Sequence, residues 1–157
     1  MTVVGDDPRV RELLDRSMNM RVGTLSGGGV PHLTPLRFVH DGRAVYTLTR
    51  AASPVAGHVA QRPGVVLLFD AERTGPEAPV LRMRAQATIR DEPDLRRWYE
   101  RRAAVKYFLR PTGIWNMLTH WRNLPTWLRR RRSATADDTM ALIELVPETA
   151  ELVAGPS

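Results

Sequence analysis

Alternation of apolar and polar residues along the chain predicts several β-strands. Residues 80–90 alternate strictly, and the outward-pointing set is rich in arginine. A period of two is typical of a strand with one buried and one exposed face. Residues 65–70 are almost wholly apolar, which predicts a strand buried on both faces. Further strands are predicted over residues 21–25, 31–39, 44–49 and 139–146, the last ended by Pro147, with a short final strand at 150–153.

Capping residues and prolines predict the helices. Asp7-Pro8 begins a helix that ends near Met18, and Ser53-Pro54 begins a short one that Pro63 stops. An aspartate or serine side chain caps free amides, and proline suits the first helical position. The chain after residue 92 adds a helix from Pro93 to about Phe108 and, beyond a break at Pro111-Thr112-Gly113, a helix over 114–132 that Pro125 interrupts.

Two turn signals join neighbouring strands. Gly27-Gly28-Gly29 is interpreted as a plain hairpin turn, because no lysine with serine or threonine follows it as in a phosphate-binding loop. Asp41-Gly42 favours a tight hairpin whose twist matches that of the strands. Two hairpins without a β-α-β rhythm predict a mainly β, α+β domain over residues 1–157, built on an antiparallel sheet. Six or seven short strands favour a closed or nearly closed barrel, which removes exposed edges.

Composition narrows the chemistry. The chain has no cysteine, which excludes disulfides, thiolate metal sites and cysteine nucleophiles. No apolar run approaches the roughly 18 residues of a transmembrane helix, and the first residues lack the basic flank of a secretory signal. We therefore expect a cytoplasmic protein.

A basic, tryptophan-rich segment spans residues 93–132. Between Asp94 and Arg132 there are 11 basic residues and two acidic ones, and all four tryptophans lie in this stretch. The segment has three possible roles: it covers the barrel and a substrate pocket, it is an amphipathic element at a membrane surface, or it binds the anionic tail of a cofactor. We favour cover and pocket lining. No nucleic-acid-reading motif is present, so no nucleic-acid partner is expected.

Residues for protein-based catalysis are not evident. The four histidines show no spacing with carboxylates that would hold a metal, so no metal site is predicted. Ser53 lacks a nucleophile elbow and a nearby base, which favours a helix cap. No catalytic residue can be named.

An ordered set of segments carries a family resemblance. It comprises residues 22–25, the Gly29–Val39 run with Pro31 and Pro35, Asp41-Gly42 with residues 45–49, Ser53 with Arg62-Pro63 and residues 65–69, residues 82–91, and residues 142–147. In this order they resemble the pyridoxamine 5′-phosphate oxidase-like family of flavin-binding split β-barrels. The resemblance covers roughly residues 8–108 and 139–153.

The resemblance implies a fold, a cofactor and an assembly. The fold would be a six- to seven-stranded antiparallel split β-barrel with peripheral helices. Family members commonly form homodimers that bind FMN in the groove between two barrels, while others use the deazaflavin coenzyme F(420) and a few bind haem or bilins. The implied activity is a flavin-dependent oxidoreductase acting on an unknown small molecule. The alternative is a non-enzymatic flavin-, haem- or small-ligand-binding module on the same barrel.

The resemblance also implies where the cofactor binds. Hydroxyls, guanidinium groups and free amides at a helix start suit a flavin phosphate, and the end of one strand and the helix after it carry such groups. A neighbouring strand would line the ring edge. The predicted cofactor-binding residues are Pro35, Leu36, Arg37, Phe38, Thr47, Thr49, Arg50, Ser53, His58 and Gln86.

Three positions depart from the family pattern. Val55 stands where a phosphate-binding lysine is usual, His58 falls in a segment where many members have arginine and asparagine, and Ala85 replaces a usual glycine. Loss of a charged hydrogen bond costs about 1.5–3 kcal/mol. Arg50, Arg37 or His58 compensates for it, or the chain has lost FMN and takes another ligand or none.

Overall fold

Helices and strands alternate in a computed structural model of the chain, which describes residues 6–70, 78–108 and 139–154. The described helices are α1 (Pro8–Arg16), α2 (Pro54–Gln61) and α3 (Pro93–Phe108). The described strands are β1 (Asn19–Leu25), β2 (Pro31–Arg37), β3 (Val39–His40), β4 (Val45–Arg50), β5 (Gly64–Phe69), β6 (Val80–Arg90) and β7 (Met140–Val153).

These strands form one antiparallel sheet in the order β2-β1-β5-β6-β7-β4-β3. The sheet curls until β2 meets β4, where the Thr47 hydroxyl donates a hydrogen bond to the Arg37 carbonyl at 2.7 Å. The architecture is the mainly β split barrel with peripheral helices that the sequence predicts. Because β6 and β7 are long and paired along their length with one bulge, they connect the two halves of the curled sheet.

Apolar side chains fill the inside of the curled sheet. Every second residue of β6 from Leu81 to Ala87 is buried, and Phe38 packs edge-on against Phe69 with ring centroids 4.9 Å apart. α1 adds Leu14 and α2 adds Val55 to the same core. Burial of this kind contributes about 25 cal/mol per Å² of apolar surface, so the alternating strand pattern fixes which face points inward.

α3 covers the outer face of β4 and β7. Tyr99 of α3 is buried against Tyr46 and Leu142, and Trp98 meets the Tyr46 ring edge-on at 5.0 Å. These aromatic contacts pack the described part of segment 93–132 against the sheet.

The outer face of β1, β2, β5 and β6 is not covered by any of the three described helices. Leu33 is 57% exposed and Val66 is 37% exposed. The prediction that residues 65–70 are buried on both faces is therefore wrong for the single chain: Val65, Leu67 and Phe69 point into the core, and the intervening residues point outward. An almost wholly apolar strand on an open face leaves apolar surface for another molecule.

β7 runs further than the sequence indicates. Pro147 was expected to end the strand, but pairing with β6 continues to Val153 through a bulge between Pro147 and Thr149. β4 pairs with β7 only as far as Leu145, so Pro147 has a partner strand on one side and its missing N–H does not break a central ladder. Proline is tolerated at edges and bulges for this reason.

Several predictions lie outside the described residues: most of the loop at 71–79, the break at residues 111–113, the helix at 114–132, and three of the four tryptophans. Within the described part of the chain, no helix is long and apolar enough to cross a membrane.

Candidate functional site

A groove lies on the open outer face of the sheet. It encloses about 470 Å³ between β1, β2, β5 and β6. Leu25, Leu33 and Val66 give it apolar walls, and Arg84 and Glu148 add opposite charges. A second hollow beside α1, of about 420 Å³, is lined almost entirely by charged side chains. Only the first combines an apolar floor with a few polar groups, as small-molecule sites usually do.

Two glycines keep the floor of this groove flat. A Cβ atom at Gly23 would lie 3.7 Å from the Val66 Cβ and 3.9 Å from the Leu33 Cδ1, so the glycine leaves room for one methyl-sized group between those walls. Gly64 on β5 also lines the groove. Glycine inside a strand often marks a place where a ligand approaches the backbone closely, so this floor suits a planar molecule.

Polar side chains on β6 form one margin of the groove. The Gln86 amide donates to a Glu148 carboxylate oxygen at 3.0 Å. Two residues further back on the same face, Arg84 lines the groove. The predicted site residue Gln86 therefore lies beside the groove and orients one of its charged groups.

The turn from β4 into α2 gathers three of the predicted residues. The Ser53 hydroxyl caps α2, accepting from the Ala56 N–H at 3.3 Å, and it also accepts from the Thr49 hydroxyl at 3.2 Å. These two bonds use the acceptor capacity of Ser53 and leave its O–H as a donor. Arg50 is exposed at the same turn. The turn thus carries a hydroxyl donor and a guanidinium three residues apart in the chain.

The start of α2 offers fewer amides than an average helix. Pro54 has no N–H, and the Ala56 N–H is bonded to Ser53. Gly57 N–H closes the first turn on the Ser53 carbonyl at 3.2 Å. Among the first residues of α2, Val55 is the one whose N–H takes no part in these contacts. Most of the binding energy for an anion would therefore come from side chains.

The end of β2 holds four more predicted residues. Pro35 and Arg37 point outward, whereas Phe38 is fully buried and Leu36 packs against the core. The Arg37 guanidinium lies 5.2 Å from the centre of the Tyr107 ring. Thr47, the fifth residue here, is buried and bonded to the Arg37 carbonyl, so its hydroxyl holds the two strands together.

His58 lies at the end of the barrel next to the groove. Its Nδ1 is hydrogen-bonded to the Thr24 hydroxyl at 2.9 Å, and its ring is 4.8 Å from the ring of His32. Thr24 and His32 both line the groove. In the described part of the chain, no three histidine, aspartate or glutamate side chains are grouped as metal ligands.

The predicted residues therefore fall into three groups in one chain. Thr49, Arg50 and Ser53 meet at the β4–α2 turn, Pro35 to Phe38 meet Thr47 at the β2–β4 junction, and His58 and Gln86 flank the groove. Sequence reasoning missed the groove itself. Its signals were glycines inside strands and apolar residues on outward positions, namely Gly23, Leu33, Gly64 and Val66.

An ionic network lies on the α3 side of the sheet, away from the groove. Hydrogen bonds from Arg90 lower the pKa of Glu92 to about 2. Burial raises the pKa of Tyr46, and the neighbouring Asp41 and Glu144 carboxylates add to this effect. These groups bond to one another, which indicates a structural role under α3.

Fold and groove together define a class: a split β-barrel with a largely apolar groove on its outer sheet face. Residues 6–154 match the sequence family described as pyridoxamine 5′-phosphate oxidase, and the chain belongs to this family.

Solved structures share the fold at low sequence identity. The haem storage protein HutZ from Vibrio cholerae has a TM-score of 0.65 and 16% identity, covering 99% of this chain and 96% of that one. An FAD-binding protein from Mesorhizobium loti has a TM-score of 0.61 and 9% identity, covering 95% and 93%. An F(420) reductase has a TM-score of 0.54 and 16% identity, covering 90% and 94%. No curated protein matches the chain.

Proposed function

We propose that this chain is a cytoplasmic, homodimeric oxidoreductase that binds FMN, with the deazaflavin coenzyme F(420) as the alternative, and acts on a small molecule. The observation that carries the proposal is the groove with its glycine floor and apolar walls. Family membership and the likeness to an FAD-binding protein and an F(420) reductase support a flavin-type cofactor.

The groove has dimensions that suit a flavin ring. Its volume of about 470 Å³ falls within the range of about 300–1,000 Å³ typical of ligand pockets. Gly23 and Gly64 leave the floor without side chains, so we expect a flat ring system to lie over this floor, beside Leu33 and Val66. When bound, the flavin supplies the two-electron chemistry, and the protein supplies binding, orientation and exclusion of water.

The phosphate of the cofactor is assigned to the β4–α2 turn. Val55, at the position of the family's usual lysine, is buried in the core and does not serve this purpose. We assign Arg50 and the O–H of Ser53 as side-chain donors to the phosphate, with Thr49 bonded to Ser53. A homodimer in which the turn of one copy faces the groove of the other would unite the three groups of predicted residues.

A groove-filling substitution tests the proposal. In Gly23→Ala the new methyl meets ordinary contacts of 3.5 Å or more, so the fold is retained while the floor is raised. The methyl would crowd the bound ring, and overpacking costs roughly 1–3 kcal/mol. We therefore expect FMN affinity, measured by quenching of flavin fluorescence, to fall about tenfold.

The matched control is Gly57→Ala, which adds the same methyl to α2 where a Cβ has nothing within 4 Å. It should bind FMN as the unaltered chain does. Equal affinities for Gly23→Ala, Gly57→Ala and the unaltered chain would reject the groove as the ring site, and absence of saturable binding of FMN and of F(420) would reject the proposed function.

A non-enzymatic haem-binding module is the second candidate. Two imidazoles, His32 and His58, lie together at the groove, and His32 is exposed. Neutral imidazole is a common haem-iron ligand. For this candidate, His32→Ala should abolish the Soret absorption that appears when haem is added. Because His32 also lines the groove, FMN affinity should fall only in part, so complete loss of binding is expected for haem alone.

A further inference from the structure

The arginines on the outward face of β6 differ in their partners. Arg82 is paired with Glu151 at 2.6 Å, and Arg90 is paired with both Glu92 and Glu144. Arg84 lies between them on the same face and lines the groove. In the described residues it has no hydrogen bond or ion pair. It is the arginine of this strand whose charge is left for another molecule.

The immediate surroundings of Arg84 are mostly apolar. β1, β2 and β5 present glycine, leucine and valine to the groove. Two charged groups on neighbouring strands have partners of their own: Arg21 is paired with Asp70 at 3.0 Å, and the Gln86 amide orients the Glu148 carboxylate, which keeps its charge. His32 also lines the groove. An anion that lies over the floor therefore finds one uncommitted guanidinium.

We propose that Arg84 binds an anionic oxygen group carried by the planar molecule that occupies the groove. A guanidinium matches a carboxylate, phosphate or sulfonate with two parallel N–H donors, and such charge-assisted bonds are stronger than neutral ones. The proposal deepens the proposed function, because it gives the groove a charge preference. The anionic group comes either from the phosphate of the cofactor or from an acidic second substrate.

Two fluorescent probes isolate the charge preference without a flavin. The anionic probe is 8-anilinonaphthalene-1-sulfonate, and N-phenyl-1-naphthylamine is its uncharged counterpart. In Arg84→Gln we expect the affinity for the sulfonate to fall about tenfold, as loss of a charged hydrogen bond implies. The uncharged probe should bind within about twofold of its original affinity, and Arg84→Lys should recover part of the sulfonate affinity, because it keeps the charge but not the paired donors.

Arg82→Gln is the matched control, since it removes the same charge two residues away from an arginine already paired with Glu151. It should leave both probes unaffected. The proposal is overturned if Arg82→Gln weakens the sulfonate as much as Arg84→Gln does, or if Arg84→Gln weakens both probes equally. It is also overturned if the unaltered chain fails to bind the sulfonate saturably, or if Arg84→Gln changes the oligomeric state, which would assign Arg84 to a subunit contact.

FMN and riboflavin, which lacks the phosphate, distinguish the two sources of the anion. If Arg84→Gln weakens FMN but not riboflavin, the arginine binds the cofactor phosphate. If both flavins keep their affinity while the sulfonate probe loses it, Arg84 serves an acidic substrate. A chain that binds no flavin defeats the proposed function, yet the comparison of the two probes still decides the role of Arg84.

Discussion

Ser53 caps a helix and is also one of the residues proposed to bind the cofactor phosphate. Its oxygen accepts from the Ala56 N–H and from the Thr49 hydroxyl, and its hydrogen is left to donate. The cap alone contributes about 1 kcal/mol to stability. Substitutions that keep the cap but remove the donor therefore separate the two requirements.

Ser53→Asp makes this separation. Aspartate caps a helix as well as serine does, so the free energy of unfolding in urea should change little, whereas Ser53→Ala should lose about 1 kcal/mol. If the phosphate lies at this turn, the added carboxylate repels it, and FMN affinity in Ser53→Asp should fall at least about tenfold. Riboflavin affinity should be unchanged. Equal losses for FMN and riboflavin would place the phosphate elsewhere.

Much of the residue-level structure follows from local sequence. Asp7 and Ser53 cap α1 and α2 as their positions predict, and Gly42 adopts a positive φ of 87° in the Asp41-Gly42 hairpin. These features depend on a few adjacent residues. The lack of an ion pair at Arg84 within the described residues could not be predicted in this way, because it depends on which glutamates of the distant strand β7 reach β6.

At the scale of elements, α3 is anchored where β2 gives way to β3. The Tyr107 hydroxyl accepts from the Phe38 N–H at 2.9 Å and donates to the Met18 carbonyl at 2.7 Å. The Lys106 ammonium lies 3.4 Å from the centre of the Phe38 ring and donates to the Phe38 carbonyl at 3.3 Å. The end of α3 therefore satisfies backbone groups at a break in the sheet edge.

Tyr107→Phe removes one of these anchors. It leaves the Phe38 N–H and the Met18 carbonyl without their partner, and an unsatisfied buried polar group costs about 1–3 kcal/mol. We expect the free energy of unfolding in urea to fall by about that amount. A loss below about 0.5 kcal/mol would contradict the anchoring role.

Strand predictions succeeded where the pattern depends on one strand and failed where it depends on neighbours. β6 alternates because one of its faces meets the core, and the sequence pattern alone indicates this. Whether the outward face of β5 is buried depends on whether another molecule covers it, and the run of apolar residues does not identify that molecule. Likewise, Pro147 remains in β7 only because β4 ends before reaching it.

For the whole molecule, the open sheet face is the surface on which the proposed homodimer depends. Leu25, Val30, Leu33 and Val66 are exposed on β1, β2 and β5 or on the hairpin between them. An apolar patch of this kind on a folded chain commonly marks an interface or a ligand site. A second copy seated here would bury the apolar residues and enclose the groove.

Leu33→Glu tests the homodimer. A charge at the centre of a buried apolar interface is costly to desolvate, so the substitution should convert the dimer into a 17.7 kDa monomer in sedimentation velocity and reduce FMN affinity with it. Val105→Glu is the matched control, because Val105 on α3 is 54% exposed, close to the 57% of Leu33. A monomeric parent chain, or a dimer that survives Leu33→Glu, would refute this assembly.

Chemical-shift mapping of backbone amides during an FMN titration tests the central claim most directly, namely that the flavin ring lies on the open sheet face. The account predicts the largest changes at Gly23, Leu33, Val66 and Arg84, with Arg97 and Glu100 on the exposed face of α3 unaffected. Changes confined to α3 and the outer face of β4 and β7, with the groove residues unmoved, would contradict it.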